Sequence, residues 1–323
     1  MTSFTLGPPP WSEEMLRSLY FRDFQAAERA IQEHPGFEVS QDLGSLELSL
    51  AIFRECISDL FNTIESFHKQ AADPRFWARP NRASFDRSAL AVTKAVFVAA
   101  ASALALVDHS RVVRNRCSIP GYDEKRSATF DDVEHQFIQD LRNYVSHYQI
   151  VEADWQREYA PSGKWTKFLL RRSSLLRWNG WTELELQFID RHPIGVDVEA
   201  LFRTYAQRVE VFQQWFREQI RELFSADLSD YLRYDRMLKG FEVASFWRIL
   251  LKQVIEKSID PFLYLDRYLT DEELTQVMAL PPRSKQQVDR VIDILGEYDA
   301  CDAELRELVC RAFGVGSAEE RKG

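Results

Sequence analysis

The tightest constraint on this chain is the spacing of its large apolar residues. Leu46, Leu50, Phe53, Ile57, Leu60, Phe61, Ile64 and Phe67 recur mostly at steps of three and four. That step lines one face of an α-helix and cannot lie on one side of a strand, whose faces alternate at every residue. The same step runs through Phe130, Val133, Phe137, Ile138, Leu141, Tyr144, Val145 and Tyr148, and again through Val198, Leu201, Phe202, Tyr205, Val209, Phe212 and Phe216. Three amphipathic stripes of this length predict an all-α fold, a bundle whose helices bury one face each.

Helix punctuation divides the chain. Ser12 caps a helix expected to run to about Glu33, stopped by His34-Pro35-Gly36. A second helix is expected from about Ser45 to Asp73-Pro74, followed by a loop over residues 75–84. Residues 85–110 form an alanine-rich helix, whose small side chains let neighbouring helices approach closely at the centre of a bundle. Residues 118–128, with Pro120-Gly121, read as a break before the helix at 130–148. The short alternating runs at 165–170 and 183–189, on either side of Asn179-Gly180, predict a small β-hairpin insertion near 164–190. Asp197 caps the next long helix, and beyond Ser225 the pattern stays helical, divided by Gly240, Pro261 and Pro281-Pro282. The expected organisation is an N-terminal arm and helix (1–44), a helical bundle with an extended insertion (45–224) and a C-terminal helical region (225–323).

A net charge of −9 argues against a protein that coats nucleic acid by bulk charge, while leaving room for a local basic site. The four cysteines, Cys56, Cys117, Cys301 and Cys310, are far apart and contain no C-x-x-C pair, which argues against a disulfide framework or zinc knuckle. The N-terminal residues show no basic segment followed by an apolar run. Residues 89–107 are strongly apolar but interrupted by Lys94 and rich in alanine, which favours a buried helix over a membrane span. A cytoplasmic protein without membrane contact is expected.

The stretch that reads as chemistry is Arg142-Asn143-Tyr144-Val145-Ser146-His147, near the end of an amphipathic helix. Asn143 and His147 are four apart, as are Arg142 and Ser146, so each pair stacks on one side. Arg142 and His147 are five apart, about 140° around the helix. They converge on one ligand only if the helix ends or kinks there, or if a second chain supplies half of the site. An arginine and a histidine at this spacing are common by chance, and Arg29 and His34 form another such pair. The asparagine directly after the arginine is what makes Arg142–His147 specific.

With its flanking residues, Leu141 to Tyr148, this motif resembles the signature of HEPN-type proteins, which are helical bundles carrying arginine, often a polar residue, and then histidine. The similarity extends over residues 45–223, taking in the long helices before the motif, the extended runs after it and the aromatic-rich helix with Tyr205, Phe212 and Trp215. The resemblance implies a metal-independent endoribonuclease, with no cofactor, acting as a homodimer in a toxin–antitoxin or phage-defence setting. In that chemistry the 2′-hydroxyl of RNA attacks its own phosphodiester. His147 would exchange the protons, Arg142 would clamp the phosphate and stabilise the pentacoordinate state, and Asn143 would orient His147 or the scissile group. The alternative is a catalytically inactive HEPN-like scaffold that binds RNA or protein.

Residues 162–182 hold no carboxylate but contain Lys164, Lys167, Arg171, Arg172 and Arg177, interleaved with Trp165, Trp178 and Trp181. Basic side chains track a phosphate backbone and indole faces stack on unpaired bases, so a single-stranded RNA contact is expected here. A solvated hairpin face with core tryptophans would give the same pattern. Arg75, Phe76, Trp77, Arg79, Arg82 and Arg87 form a second basic–aromatic stretch. Glu65-x-x-His68 and Asp132-x-x-His135 have the spacing of di-iron ligands in helical bundles, but two such pairs are unremarkable in an acidic chain. No phosphate-binding glycine loop, H-E-x-x-H or G-x-S-x-G is present. The C-terminal helices offer a surface for a protein partner or an antitoxin.

Overall fold

The computed structural model describes residues 6–130, 133–148, 153–160 and 163–315, with side chains for all of these except 153, 154, 157–160 and 163–165. The regular structure is mostly helical, with one small antiparallel sheet of three strands. The chain divides into two compact units, residues 39–225 and residues 1–38 together with 226–323.

The first unit is built on four long helices: α3 (Pro35–Ala71), α4 (Arg82–Cys117), α6 (Val133–His147) and α9 (Val198–Leu223). Their stripes, including Phe53, Leu60, Phe67, Phe137, Leu141, Tyr144, Phe202 and Tyr205, meet in one core. Ala99, Ala100 and Ala103 of α4 are fully buried, and α4 packs closely on α6. The stretch Arg79–Cys117 is long and apolar enough, by length and composition alone, to cross a membrane. The core helix of a soluble protein meets the same criterion. Here Val92, Val96 and Leu106 face the core, while Leu90, Phe97 and Val98 lie exposed on the far side.

A short helix, α5 (Tyr122–Phe130), begins directly after Pro120-Gly121, inside the stretch expected to be a break. The hairpin is also displaced from its expected place. Its strands are β1 (Ala153–Ala160) and β2 (Gly163–Arg171), with Trp155 opposite Phe168. β3 (Gly195–Asp197) adds to β2, pairing Leu170 with Val196. Arg172–Leu175 forms the single turn α7, and Glu183–Asp190 is a helix, α8, rather than a strand. The reason is local: Thr182 and Glu185 form a capping box, each side chain accepting from the other's backbone N–H. That pins the first turn and overrides the alternation of Leu184, Leu186 and Phe188.

Within the second unit the expected first helix is two, α1 (Glu13–Arg22) and α2 (Phe24–Gln32). Asp23 separates them, and its carboxylate caps α2 by accepting from the Ala26 N–H. Pro35 both follows α2 and opens α3, because a proline in the first turn lacks an N–H that the helix could not use anyway. Gly36 is required there: a Cβ would lie 2.2 Å from the Asp227 carbonyl oxygen. The unit continues with α10 (Ser225–Glu256), α11 (Asp271–Met278), α12 (Lys285–Glu297) and α13 (Ala303–Ala312). An aromatic cluster of Trp11, Tyr231, Tyr234 and Phe241 forms one core, and a second gathers Trp247, Val277, Val291, Leu295 and Val309. His34 is buried in the first, with its Nδ1 accepting from the Gly36 N–H at 3.0 Å, so the Arg29–His34 pair contains a satisfied core histidine.

Candidate functional site

The buried stripe of α6, Phe137, Ile138, Leu141, Tyr144 and Val145, fixes what its flanks carry. A step of about 100° per residue puts Asp140, Asn143 and His147 on one flank and Gln139, Arg142 and Ser146 on the other. Arg142 and Asn143 are half-buried, whereas His147 is exposed in the last turn. The Arg142 guanidinium donates to the Asn143 carboxamide oxygen at 3.3 Å, and the Asn143 Nδ2 donates to Asp140 at 2.9 Å. α6 is helical through His147, so within one chain Arg142 and His147 stay on different flanks.

Behind Asp140 stands a second carboxyl group that sequence reasoning missed. Glu185 of α8 is completely buried, and its Oε2 accepts from the Thr182 N–H at 2.7 Å and the Thr182 hydroxyl at 2.8 Å. Its Oε1 is buried with no hydrogen-bond donor of its own. Burial pushes the Glu185 pKa up, the two Thr182 hydrogen bonds pull it part of the way back, and the neighbouring Asp140 carboxylate raises it again. Thus a line of polar contacts runs from Arg142 through Asn143 and Asp140 to the cap of α8.

Two tyrosines that sequence analysis assigned only to the apolar stripe anchor the end of α6. The Tyr144 hydroxyl donates to the Ser174 carbonyl at 3.1 Å and the Tyr148 hydroxyl donates to the Arg177 carbonyl at 2.8 Å. They bring the segment 174–177 beside the turn that carries His147. Of the expected basic strip, Lys167, Arg171 and Arg177 are exposed, and Arg172 is paired with Asp190 through two hydrogen bonds at 3.1 and 2.7 Å. The side chains of Lys164 and Trp165 lie outside the described residues.

The tryptophans of the strip do not share one role. Trp181 is a core residue, stacked on Phe137 and Tyr144, with its indole N–H donated to the Leu175 carbonyl. Neither of its faces is open to a base. Trp178 is half-buried, with its edge against Trp181. In the second basic–aromatic stretch the rings are again core: Phe76 and Phe85 are buried, and with Trp77 they pack around Phe67 and Trp155. Arg75 and Arg82 are paired with Asp73 and Asp86.

Among the described residues no group of three histidine, cysteine or acidic side chains could hold a metal ion. Glu65 is paired with Lys69, and Asp132 lies outside the described residues. All four cysteines are free thiols. No protein-family model matches the chain, and neither curated proteins nor solved structures give a match.

Proposed function

We propose that the chain is a metal-independent endoribonuclease of HEPN type that works as a homodimer, as a toxin or phage-defence effector. The observation that carries the reading is the position of His147. It is exposed on the last turn of α6, beside the segment that Tyr144 and Tyr148 hold against that turn, with exposed Arg177 and Arg171 nearby in sequence.

The reaction needs a group to take the 2′-hydroxyl proton, a group to protonate the departing 5′-oxygen, and a cation on the phosphate. As the 2′-oxygen bonds to phosphorus, the bond from phosphorus to the 5′-oxygen breaks, leaving a cyclic phosphate. A dimer sets His147 of one chain, which takes the 2′-hydroxyl proton and passes it to the leaving 5′-oxygen, opposite Arg142 of the other chain as the phosphate clamp. The half-buried Asn143–Asp140 pair would hold the Arg142 guanidinium in place until RNA arrives.

The test is incubation of RNA with the protein in EDTA, beside a His147→Ala variant. Cleavage by the wild type alone, leaving cyclic-phosphate ends, is the expected result. Equal background from both proteins defeats the reading. One observation favours the second reading, an inactive HEPN-like scaffold: Arg142 and Asn143 are already engaged with each other and with Asp140. For that scaffold, salt-dependent RNA retardation on a gel would occur without cleavage.

A further inference from the structure

A cavity of about 610 Å³ opens among α4, α5, α6 and α9, a size typical of small-molecule sites. Arg142, Asn143 and His147 do not line it, so a ligand bound here is independent of the nuclease reading.

Its floor carries polar atoms left without partners. Tyr205 is 1% exposed and its hydroxyl has no hydrogen-bond partner. Gln213 is 4% exposed; its Nε2 donates to the Ser110 hydroxyl at 2.8 Å, but its Oε1 has no partner. Ser110 cannot supply one, since its own proton goes to the Leu106 carbonyl at 2.7 Å. Buried polar atoms are nearly always satisfied, and leaving one unmade is costly. Here two of them face the same cavity, eight residues or about 12 Å apart along α9.

The walls carry aromatic rings, and three arginines stand among neutral polar and aliphatic lining residues. Phe130 packs against Phe212, and Phe212 against Tyr122, giving a ring-lined surface suited to a planar group. Arg111, Arg114 and Arg126 line the cavity; Arg111 pairs with Asp108 at 3.0 Å, and Arg114 and Arg126 share the single lining carboxylate, Asp123, at 2.8 and 3.8 Å. Three guanidinium groups to two carboxylates leave a positive excess at this site, in a chain of net charge −9.

The geometry points to a nucleoside monophosphate as the ligand of this cavity. A nucleobase brings a planar face for the rings and N–H groups for Gln213 Oε1. The sugar or base brings a partner for the Tyr205 hydroxyl, and the phosphate meets the arginines. Other chemistries fit less of the lining. Inorganic phosphate leaves the floor atoms unmet, a fatty acid leaves them buried under hydrocarbon, and a divalent cation would sit among guanidinium groups.

Calorimetric titration of the full chain with AMP, GMP, CMP and UMP tests this, with inorganic phosphate and the free nucleosides as controls. At least one nucleotide is expected to bind one-to-one, and more tightly than either control. Tyr205→Phe should weaken that binding about tenfold, the loss expected for one hydrogen bond, with an unchanged or raised Tm because an unpartnered buried hydroxyl is removed. Arg126→Ala, at an exposed position, should weaken binding and flatten its salt dependence. The inference is overturned if no nucleotide binds at millimolar concentration. It is equally overturned if binding is indifferent to both substitutions, if phosphate alone binds as tightly, or if only RNA oligomers bind.

Discussion

Glu185 sits where a carboxylate is least at home, fully buried beside Asp140 and fixed by Thr182. Its pKa is raised on folding, so the folded state binds its proton more tightly than the unfolded chain does. The stability linked to that proton is complete below the ordinary glutamate range. It is lost as the pH climbs through the raised value. Glu185→Gln keeps a capping side chain at this position and removes the titration. The expected outcome is that the variant gains Tm on wild type as the pH rises above the ordinary glutamate range, measured by thermal unfolding in matched buffers. A gap independent of pH would mean that the carboxyl group is ionised throughout. His147→Ala, by contrast, alters an exposed side chain, and its denaturant midpoint should stay within about 0.5 kcal/mol of wild type. Activity lost by that variant would then be chemistry rather than unfolding. Of this neighbourhood, Arg142, Asn143 and His147 were legible because they lie within six residues on one helix. Asp140 and Glu185 are 45 positions apart, and nothing in the sequence announces that the fold presses them together.

At the level of elements, α4 shows how two faces of one helix differ. Ala99→Leu pushes a larger side chain into a fully packed site and should cost about 1–3 kcal/mol in chemical denaturation. Ala105→Leu, on the exposed side, should leave stability within about 0.5 kcal/mol. Similar losses from both would mean that the alanine face does not set the helix spacing. The long helices α3, α6 and α9 were readable because their apolar period is sustained over several turns, and Asp197 caps α9 as its side chain predicts. The sheet was not. β1 runs through ADWQREYA, whose apolar residues do not alternate cleanly, and its pairing with β2 depends on the long-range burial of Trp155 and Phe168. α8 was misread because alternation over seven residues resembles a strand, whereas the Thr182–Glu185 capping box is the stronger signal. Thr182→Ala should destabilise α8 by about 1 kcal/mol and increase hydrogen exchange in its first turn.

For the whole molecule, a site composed across a dimer makes a prediction that one chain alone cannot meet. Mixing Arg142→Ala with His147→Ala should restore cleavage, because each mixed dimer retains one intact pairing of arginine and histidine from opposite chains. With random exchange, roughly a quarter of wild-type activity returns. Two inactive variants that stay inactive together, while sedimentation shows exchange of subunits, would place both groups in one chain and count against the composite site.

The division of the chain also sets an order in time. Residues 39–225 are continuous, so they leave the ribosome as a complete unit, whereas residues 1–38 must wait for 226–323. Trp11 meets its hydrogen-bond partner Tyr234 only after 223 further residues have been made. A nascent chain, or a truncated product ending near residue 225, would therefore already hold Arg142, His147 and the arginine-lined cavity. The helices of residues 226–323 do not yet exist at that moment. Any restraint they provide comes after the continuous unit is made.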